Sequence, residues 1–189
     1  MPNINLYVKL ETDYSSSWEL THGQVPTYRL SDLSEAIVDA SRYWPYYHTI
    51  RREELFEARG KSGYNSHHPD EEKEGNHPLI FIADGNPIGT VRLDMLSSTV
   101  IKIAAVRMFA ITRRRQGEGH GRALHDRLEW FAFSEGVSLL VINAAKSAVD
   151  FYSKLGYLPS AWQDSSTGLG DEVFQMAKLI QPSKIIGRV

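Results

Sequence analysis

The sequence predicts an α/β protein in which one mixed β-sheet carries helices on its faces. Three observations carry that prediction. Strand-like and helical patterns alternate through the second half of the chain, a hairpin pattern precedes them, and 189 residues with 42% apolar side chains supply one substantial core.

The elements follow in order. Residues 4–8 and 25–30 read as short strands separated by a polar, serine-rich stretch, and residues 31–60 read as helix, with Ser31 as N-cap. A break is expected at Pro45, because proline lacks an amide donor and clashes with the preceding turn, which divides the stretch into two helices. Residues 60–78, rich in Gly, Pro, His and acid, read as an exposed loop. Residues 79–83 form a buried-strand run, Asp84-Gly85-Asn86-Pro87 is turn chemistry, and Val91, Leu93 and Met95 alternate with Thr90, Arg92 and Asp94, which together make a hairpin. Residues 101–111 are strand-like. Leu124, Leu128, Phe131 and Ala132 then repeat at helical spacing until Gly136, a C′ residue. Residues 139–142 suit a central strand, and residues 147–155 a helix with Ala148, Phe151, Tyr152 and Leu155 on one face. Ser147 with Asp150 resembles a capping box, and Gly156 stops the helix. A Ser/Gly-rich loop over 160–171 leads to a last strand at 173–180.

Composition narrows the function. Charged residues make up 23% of the chain and nearly cancel, at a formal net charge of −2, so no global field recruits nucleic acid or an anionic membrane. Cysteine is absent, which excludes disulfides, a thiol nucleophile and thiolate metal sites and fits a reducing cytoplasm. The first residues lack the basic start and apolar stretch of a signal peptide, and no run approaches the roughly 20 apolar residues of a membrane span.

The chemically informative segment spans residues 109–124, a strand end feeding a glycine loop and then a helix. Glycines 117, 119 and 121 allow a sharp turn and close ligand approach, and the first helical amides point outward, a geometry that suits phosphate. Arg122 occupies the slot where a dinucleotide fingerprint needs its last glycine, and no Gly-Lys-Ser/Thr follows for a P-loop. The segment does fit Gln/Arg-x-x-Gly-x-Gly/Ala as Gln116-Gly117-Glu118-Gly119-His120-Gly121. At this point the chain resembles the GCN5-related N-acetyltransferase family. Residues 143–157, ending in Phe151-Tyr152-Ser153-Lys154-Leu155-Gly156-Tyr157, look like a second family segment at the expected distance, and residues 50–56 weakly resemble an early-helix element. The likeness is good over 79–180, weaker over 31–60 and absent before that.

The resemblance implies a single acetyltransferase domain over 1–189, with 1–30 as a variable extension and 79–180 as the core holding the acetyl-CoA site. It implies a mostly antiparallel, twisted sheet of six to seven strands flanked by about four helices. Backbone groups of Phe109, Ala110 and Ile111 would pair with the pantetheine amides, and the amides from Gln116 through Gly117, Glu118, Gly119, His120 and Gly121 to Arg122 would hold the pyrophosphate. Asn143 would orient cofactor or substrate, and Tyr152 would serve as general acid beside the sulfur. Six of the thirteen arginines fall between Arg107 and Arg127, and Arg114, Arg115 and Arg122 are the expected phosphate partners. The acceptor would be a small-molecule or peptide amine. Homodimers are common in the family, and self-association stays open here.

Several family members carry a catalytic glutamate on the strand before the loop, whereas Ala104, Ala105 and Arg107 stand there in this chain. Asp94 and His67 are remote substitutes as general base. A lysine-type amine is deprotonated only about one part in a few thousand at neutral pH, a cost of roughly 4–5 kcal/mol, against about 1 kcal/mol for an α-amine. The missing acid therefore favours a low-pKa amine or a water relay. Two alternatives remain: a non-catalytic acetyl-CoA-binding sensor or interaction domain, and an acyltransferase using a longer acyl-CoA. Tyr43, Trp44, Tyr46, Tyr47 and His48 either line a substrate pocket or pack the core, the pocket being slightly preferred. His67, His68, Asp70, Glu71, Glu72 and His77 lack a recognised ligand spacing, and no metal site is expected.

Overall fold

Pro45 stands at a helix start, where the expected break would put it. In the computed structural model, which describes residues 6–9, 43–71, 73–83, 85–96, 98, 100–163 and 173–180, helix α1 spans Trp44–Arg51 with Pro45 in its first turn. There the missing donor costs nothing, since first-turn amides have no intrahelical acceptor. The expected strand at 25–30 and the helix from Ser31 to residue 42 lie outside the described residues. After α1 the chain loosens into a π-helical turn, Arg52–Phe56, then tightens into a 3-10 turn, Glu57–Arg59. It stops at Gly60, whose φ of 67° is the left-handed conformation expected of a helix stop.

Seven strands form one sheet: β1 (Leu6–Lys9), β2 (Asn76–Ala83), β3 (Asn86–Leu96), β4 (Ile103–Ile111), β5 (Leu139–Ala145), β6 (Leu158–Pro159) and β7 (Val173–Leu179). Their order is β1-β2-β3-β4-β5-β7-β6, and every neighbouring pair is antiparallel except β4 with β5. Helices α2 (His120–Ser134) and α3 (Val149–Lys154) complete three α-helices among the described residues.

Strand alternation divides the sheet into two faces. Leu79, Phe81, Val91, Leu93, Ala104, Val106, Leu140 and Ile142 share a buried core with Leu124, Leu128, Phe131 and Ala132 of α2 and with Tyr152 and Leu155. The intervening positions face α1, where Ile80 and Ile82 pack on Tyr43 and Tyr47. That second face is unusually polar for a buried layer, holding Thr90, Arg92 and Asp94, each at most 9% exposed.

Local differences from the sequence reading have local causes. Strand β2 begins at Asn76, not Leu79, because Asn76 and His77 pair by backbone with Asp94 and Leu93 and need no apolar side chain to do so. Ser147 does not cap α3. A 3-10 turn, Lys146–Ala148, leads into that helix, the amide of Val149 donates to the Lys146 carbonyl, and no side chain caps the start. Gly136 and Gly156, with φ of 78° and 93°, do end their helices, and the amides of Val137 and Tyr157 reach back to the carbonyls of Ala132 and Tyr152. Gly89 is small for a different reason: a Cβ there would lie 2.5 Å from Ile111 Cδ1 and 3.3 Å from Leu124 Cδ2, so its absence lets α2 sit down on β3 and β4.

Candidate active site

The site begins where two parallel strands part. β4 and β5 pair only at Ile103 with Leu139, Ala104 with Leu140 and Ala105 with Val141. Beyond Ala105 and Val141 each strand continues bonded to its outer neighbour alone, β4 to β3 and β5 to β7. The inner edges of Val106 to Ile111 and of Ile142 to Ala145 thus flank a seam. Within it β4 carries a bulge, since Val91 faces both Met108 and Phe109 between the pairs Arg92 with Arg107 and Thr90 with Ala110. Met108 adopts a φ of 51°, rare for a residue with a side chain. The Thr90 hydroxyl donates to the Met108 carbonyl at 3.3 Å and fixes that turn. Because of the extra residue, Val106 and Ile111 both reach the same core.

The glycine loop closes the end of this seam. After β4 a 3-10 turn, Arg113–Arg115, is held from both sides: the Gln116 side-chain amide donates to the Ile111 carbonyl at 2.7 Å, and the Arg113 amide donates to the Glu54 carboxylate at 2.7 Å. Gly117 and Gly119 take φ of 79° and 87°. Gly119 is the N-cap of α2 and no side chain caps the helix, whose first internal bond runs from the Ala123 amide to the Gly119 carbonyl. The amides of His120, Gly121 and Arg122 therefore have no helical acceptor, and the positive end of the dipole lies among them. A Cβ on Gly121 would stand 3.3 Å from the Phe151 ring, so this glycine serves helix packing. The residues present fit a pyrophosphate: a nest of amides, two left-handed glycines and flanking arginines.

Of the expected arginines, Arg114 and Arg122 are exposed at this mouth. Arg115 is drawn into the protein's own contacts, with Nε donating to Glu118 at 2.9 Å and Nη2 lying 2.8 Å from His120 Nε2. Phe109 and Tyr152 meet across the seam, their ring centroids 6.1 Å apart, with Phe151 and Tyr157 around them. Burial pushes the Tyr152 phenol above its ordinary pKa, opposed weakly by Arg59, so it is protonated at neutral pH. Asn143 is placed by strand alternation. Its neighbours Ile142 and Ala144 point into the core, so Asn143 points to the α1 face.

On that face the seam is bordered by a buried ion network. Glu71 accepts from Arg51 at 2.5 Å, from Arg92 at 2.6 Å and from the Tyr47 hydroxyl at 3.2 Å, and Arg92 grips Asp94 through two bonds of 2.7 and 2.9 Å. The loop read as wholly exposed thus returns one carboxylate to the interior, with Glu71 5% exposed. Asp94 is tied into this network. Burial raises its pKa, Arg92 opposes the rise, and both carboxylate oxygens are engaged. His67 sits on the exposed loop against Ser66. The aromatic group at 43–48 divides: Tyr43 and Tyr47 are core, Tyr46 is exposed, and His48 stacks on Trp44 while sharing a 2.6 Å hydrogen bond with Tyr64.

Three residues at the seam were given no role by the sequence reading. Arg107, opposite Arg92 on β4, lies with its guanidinium 5.1 Å from the Trp162 ring centroid. The Trp162 indole donates to the Ile142 carbonyl at 3.4 Å, and its backbone is clasped by Gln175 through bonds of 3.3 and 2.9 Å. A lone tryptophan in a Ser/Gly-rich connection carries no periodic signal, so only the fold reveals this placement.

The comparisons agree with this architecture. A family model described as Acetyltransferase (GNAT) family matches residues 42–157, and the chain belongs to that family. Solved structures align along most of its length. One is an acetyltransferase of the GNAT family from Staphylococcus aureus, 16% identical with a TM-score of 0.61 over 74% of this chain and 94% of that one. Another is an aminoglycoside 6'-N-acetyltransferase complexed with coenzyme A, 14% identical with a TM-score of 0.58 over 74% and 91%. A third is an N-acyl amino acid synthase from uncultured soil microbes, 14% identical with a TM-score of 0.59 over 100% and 96%. At these identities the likeness is one of fold. No helix among the described residues is long and apolar enough to cross a membrane.

Proposed function

We propose that the protein is an acetyl-CoA-dependent N-acetyltransferase of the cytoplasm that moves an acetyl group to a primary amine by direct attack. The observation that carries this reading is the parted β4–β5 seam ending at the glycine loop and the uncapped start of α2. An extended pantetheine arm suits the open strand edge, with its amides paired to Phe109, Ala110 and Ile111. The diphosphate suits the amides from Gln116 to Arg122, with Arg114 and Arg122 beside it.

The chemistry follows from that pose. A neutral amine entering from the α1 face attacks the thioester carbon, the carbon–sulfur bond breaks, and the amine's surplus proton leaves to water. The departing thiolate takes a proton from Tyr152, which solvent then restores. Burial raises the pKa of the phenol, and the same desolvation raises the thiolate's proton affinity, so donor and acceptor stay matched. Because Ala105 and Arg107 occupy the strand and Asp94 is held by Arg92, the amine arrives deprotonated, which favours acceptors of low amine pKa.

Thiol release from acetyl-CoA across a panel of amines tests this reading. Turnover that falls far more than acetyl-CoA affinity in Tyr152→Phe supports it. Tight coenzyme binding with no turnover on any acceptor would instead identify a sensor domain, the reading that the missing strand carboxylate favours.

A further inference from the structure

We infer that Glu54 is a positioning residue of the coenzyme site: from the segment after α1 its carboxylate holds the arginine turn, and through that turn the glycine loop, in the shape that takes the diphosphate. This rests on the coenzyme pose above. Glu54 stands 59 positions before Arg113, yet its Oε1 accepts from the Arg113 amide at 2.7 Å. Arg113 is the first residue of the 3-10 turn that joins β4 to the loop, and Thr112 before it supplies no side-chain cap. The first amides of such a turn have no local acceptor, and a carboxylate arriving from elsewhere satisfies one as an N-cap side chain would.

The loop depends on what precedes it. Gly117 and Gly119 hold φ of 79° and 87°, and nothing lies within 4 Å of the place a Cβ would take on either. No packing at those positions fixes the loop's shape, which is inherited from the turn before it and from α2 after it. The turn's other bonds are local or run to the sheet: the Thr112 amide donates to the Ile88 carbonyl of β3 at 2.8 Å, the Arg115 amide to Thr112 at 2.8 Å, and the Gln116 side chain to Ile111 at 2.7 Å. Glu54 ties the turn to the α1 segment as well. That segment is built to deliver it. Arg52–Phe56 is a π-helical turn, a widened form that recurs at functional positions. Behind it the amides of Gly60 and Lys61 close on the Glu57 and Phe56 carbonyls, both at 2.9 Å, and the Phe56 ring meets Tyr64 edge-on at 5.1 Å. Among the described residues the Glu54 carboxylate forms no ion pair, so its contribution to the turn is the hydrogen bond.

Calorimetric titration of the full-length protein with coenzyme A tests this. Glu54→Ala should bind about tenfold more weakly at unchanged stoichiometry. Glu54→Gln keeps an acceptor oxygen and sheds a like charge near the diphosphate, so it should bind within about threefold of wild type or more tightly. A residue that merely stabilised the fold would lower the binding-competent fraction, and so the stoichiometry, while leaving Kd alone. If circular dichroism shows Glu54→Ala unfolded, Glu54→Asp, one methylene shorter, takes its place with the same loss expected. An affinity within about twofold of wild type in the folded Ala or Asp variant overturns the inference, as does Glu54→Gln binding as weakly as that variant; either result leaves acyl transfer standing. Failure of folded wild type to bind coenzyme A overturns the coenzyme pose and this inference with it.

Discussion

Replacing Glu71 by Gln keeps the side-chain shape and removes one charge from the layer between α1 and the sheet. The carboxylate is 5% exposed and accepts from Arg51, Arg92 and Tyr47. Glutamine retains one acceptor oxygen but turns an NH2 toward a guanidinium, and it removes the carboxylate that Arg51 pairs with while Arg92 keeps Asp94 and the partly exposed Asp70. Breaking one partner of such a buried pair costs about 3–5 kcal/mol, and the retained oxygen puts this case near the lower figure. A chain of this size loses about 2–4 °C of Tm per kcal/mol, so the variant should melt roughly 6–12 °C lower. The pH dependence provides an internal control. Burial pushes the Glu71 pKa up, but the hydrogen bond from Arg51 and the charges of Arg51 and Arg92 outweigh it and hold the pKa below its ordinary value. A depressed carboxylate stabilises the fold above the unfolded pKa, about 4.3, and loses that contribution as pH falls through the folded value. In urea titrations the gap between wild type and Glu71→Gln should hold steady at neutral pH and close in acid. A neutral-pH gap below about 1 kcal/mol would refute the reasoning, since it would place Glu71 among surface-like pairs.

Other perturbations address the site. Tyr152→Phe keeps the ring among Phe109, Phe151 and Tyr157, so kcat is expected to fall about a hundredfold or more with little change in Tm; steady-state kinetics and a melt decide. Because burial raises the Tyr152 pKa above its ordinary value of 10.0, kcat should show no loss from phenol ionisation below about pH 10; an alkaline limb near pH 8.5 that vanishes in Tyr152→Phe would contradict this. Gly119→Ala meets no atom within 4 Å but must hold φ at 87°, so it should cost about 1–2 kcal/mol and weaken coenzyme A binding, both readable by calorimetry. Gly89→Ala should destabilise by about 1–3 kcal/mol in urea, because its Cβ meets Ile111 at 2.5 Å and the Ala110 carbonyl at 3.1 Å.

The fold and the glycine loop were legible because they rest on local rules. Helix stops at Gly60, Gly136 and Gly156, the hairpin at Gly85 and the loop glycines at 117 and 119 each need a left-handed backbone that other residues adopt at a cost. The polar layer on the α1 face was not legible, because it is assembled by tertiary contacts without periodicity. Glu71 comes from a polar loop, Arg51 from the flank of a helix, Trp162 from a connection, and only the sheet brings them to one face. Pro45 was legible for the same reason as the glycines, since it suits a helix interior badly and a first turn well, and the helix starts there.

The parting of β4 from β5 has a mechanical meaning as well. Strands β1 to β4 form one slab and β5, β7 and β6 another, joined within the sheet by three residue pairs. An extended molecule lodged between them would splint the slabs, bonding to one edge and wedging the other. Occupancy would then register as slower deuterium uptake by amides along β4, and the same splinting would set how widely the seam stands open.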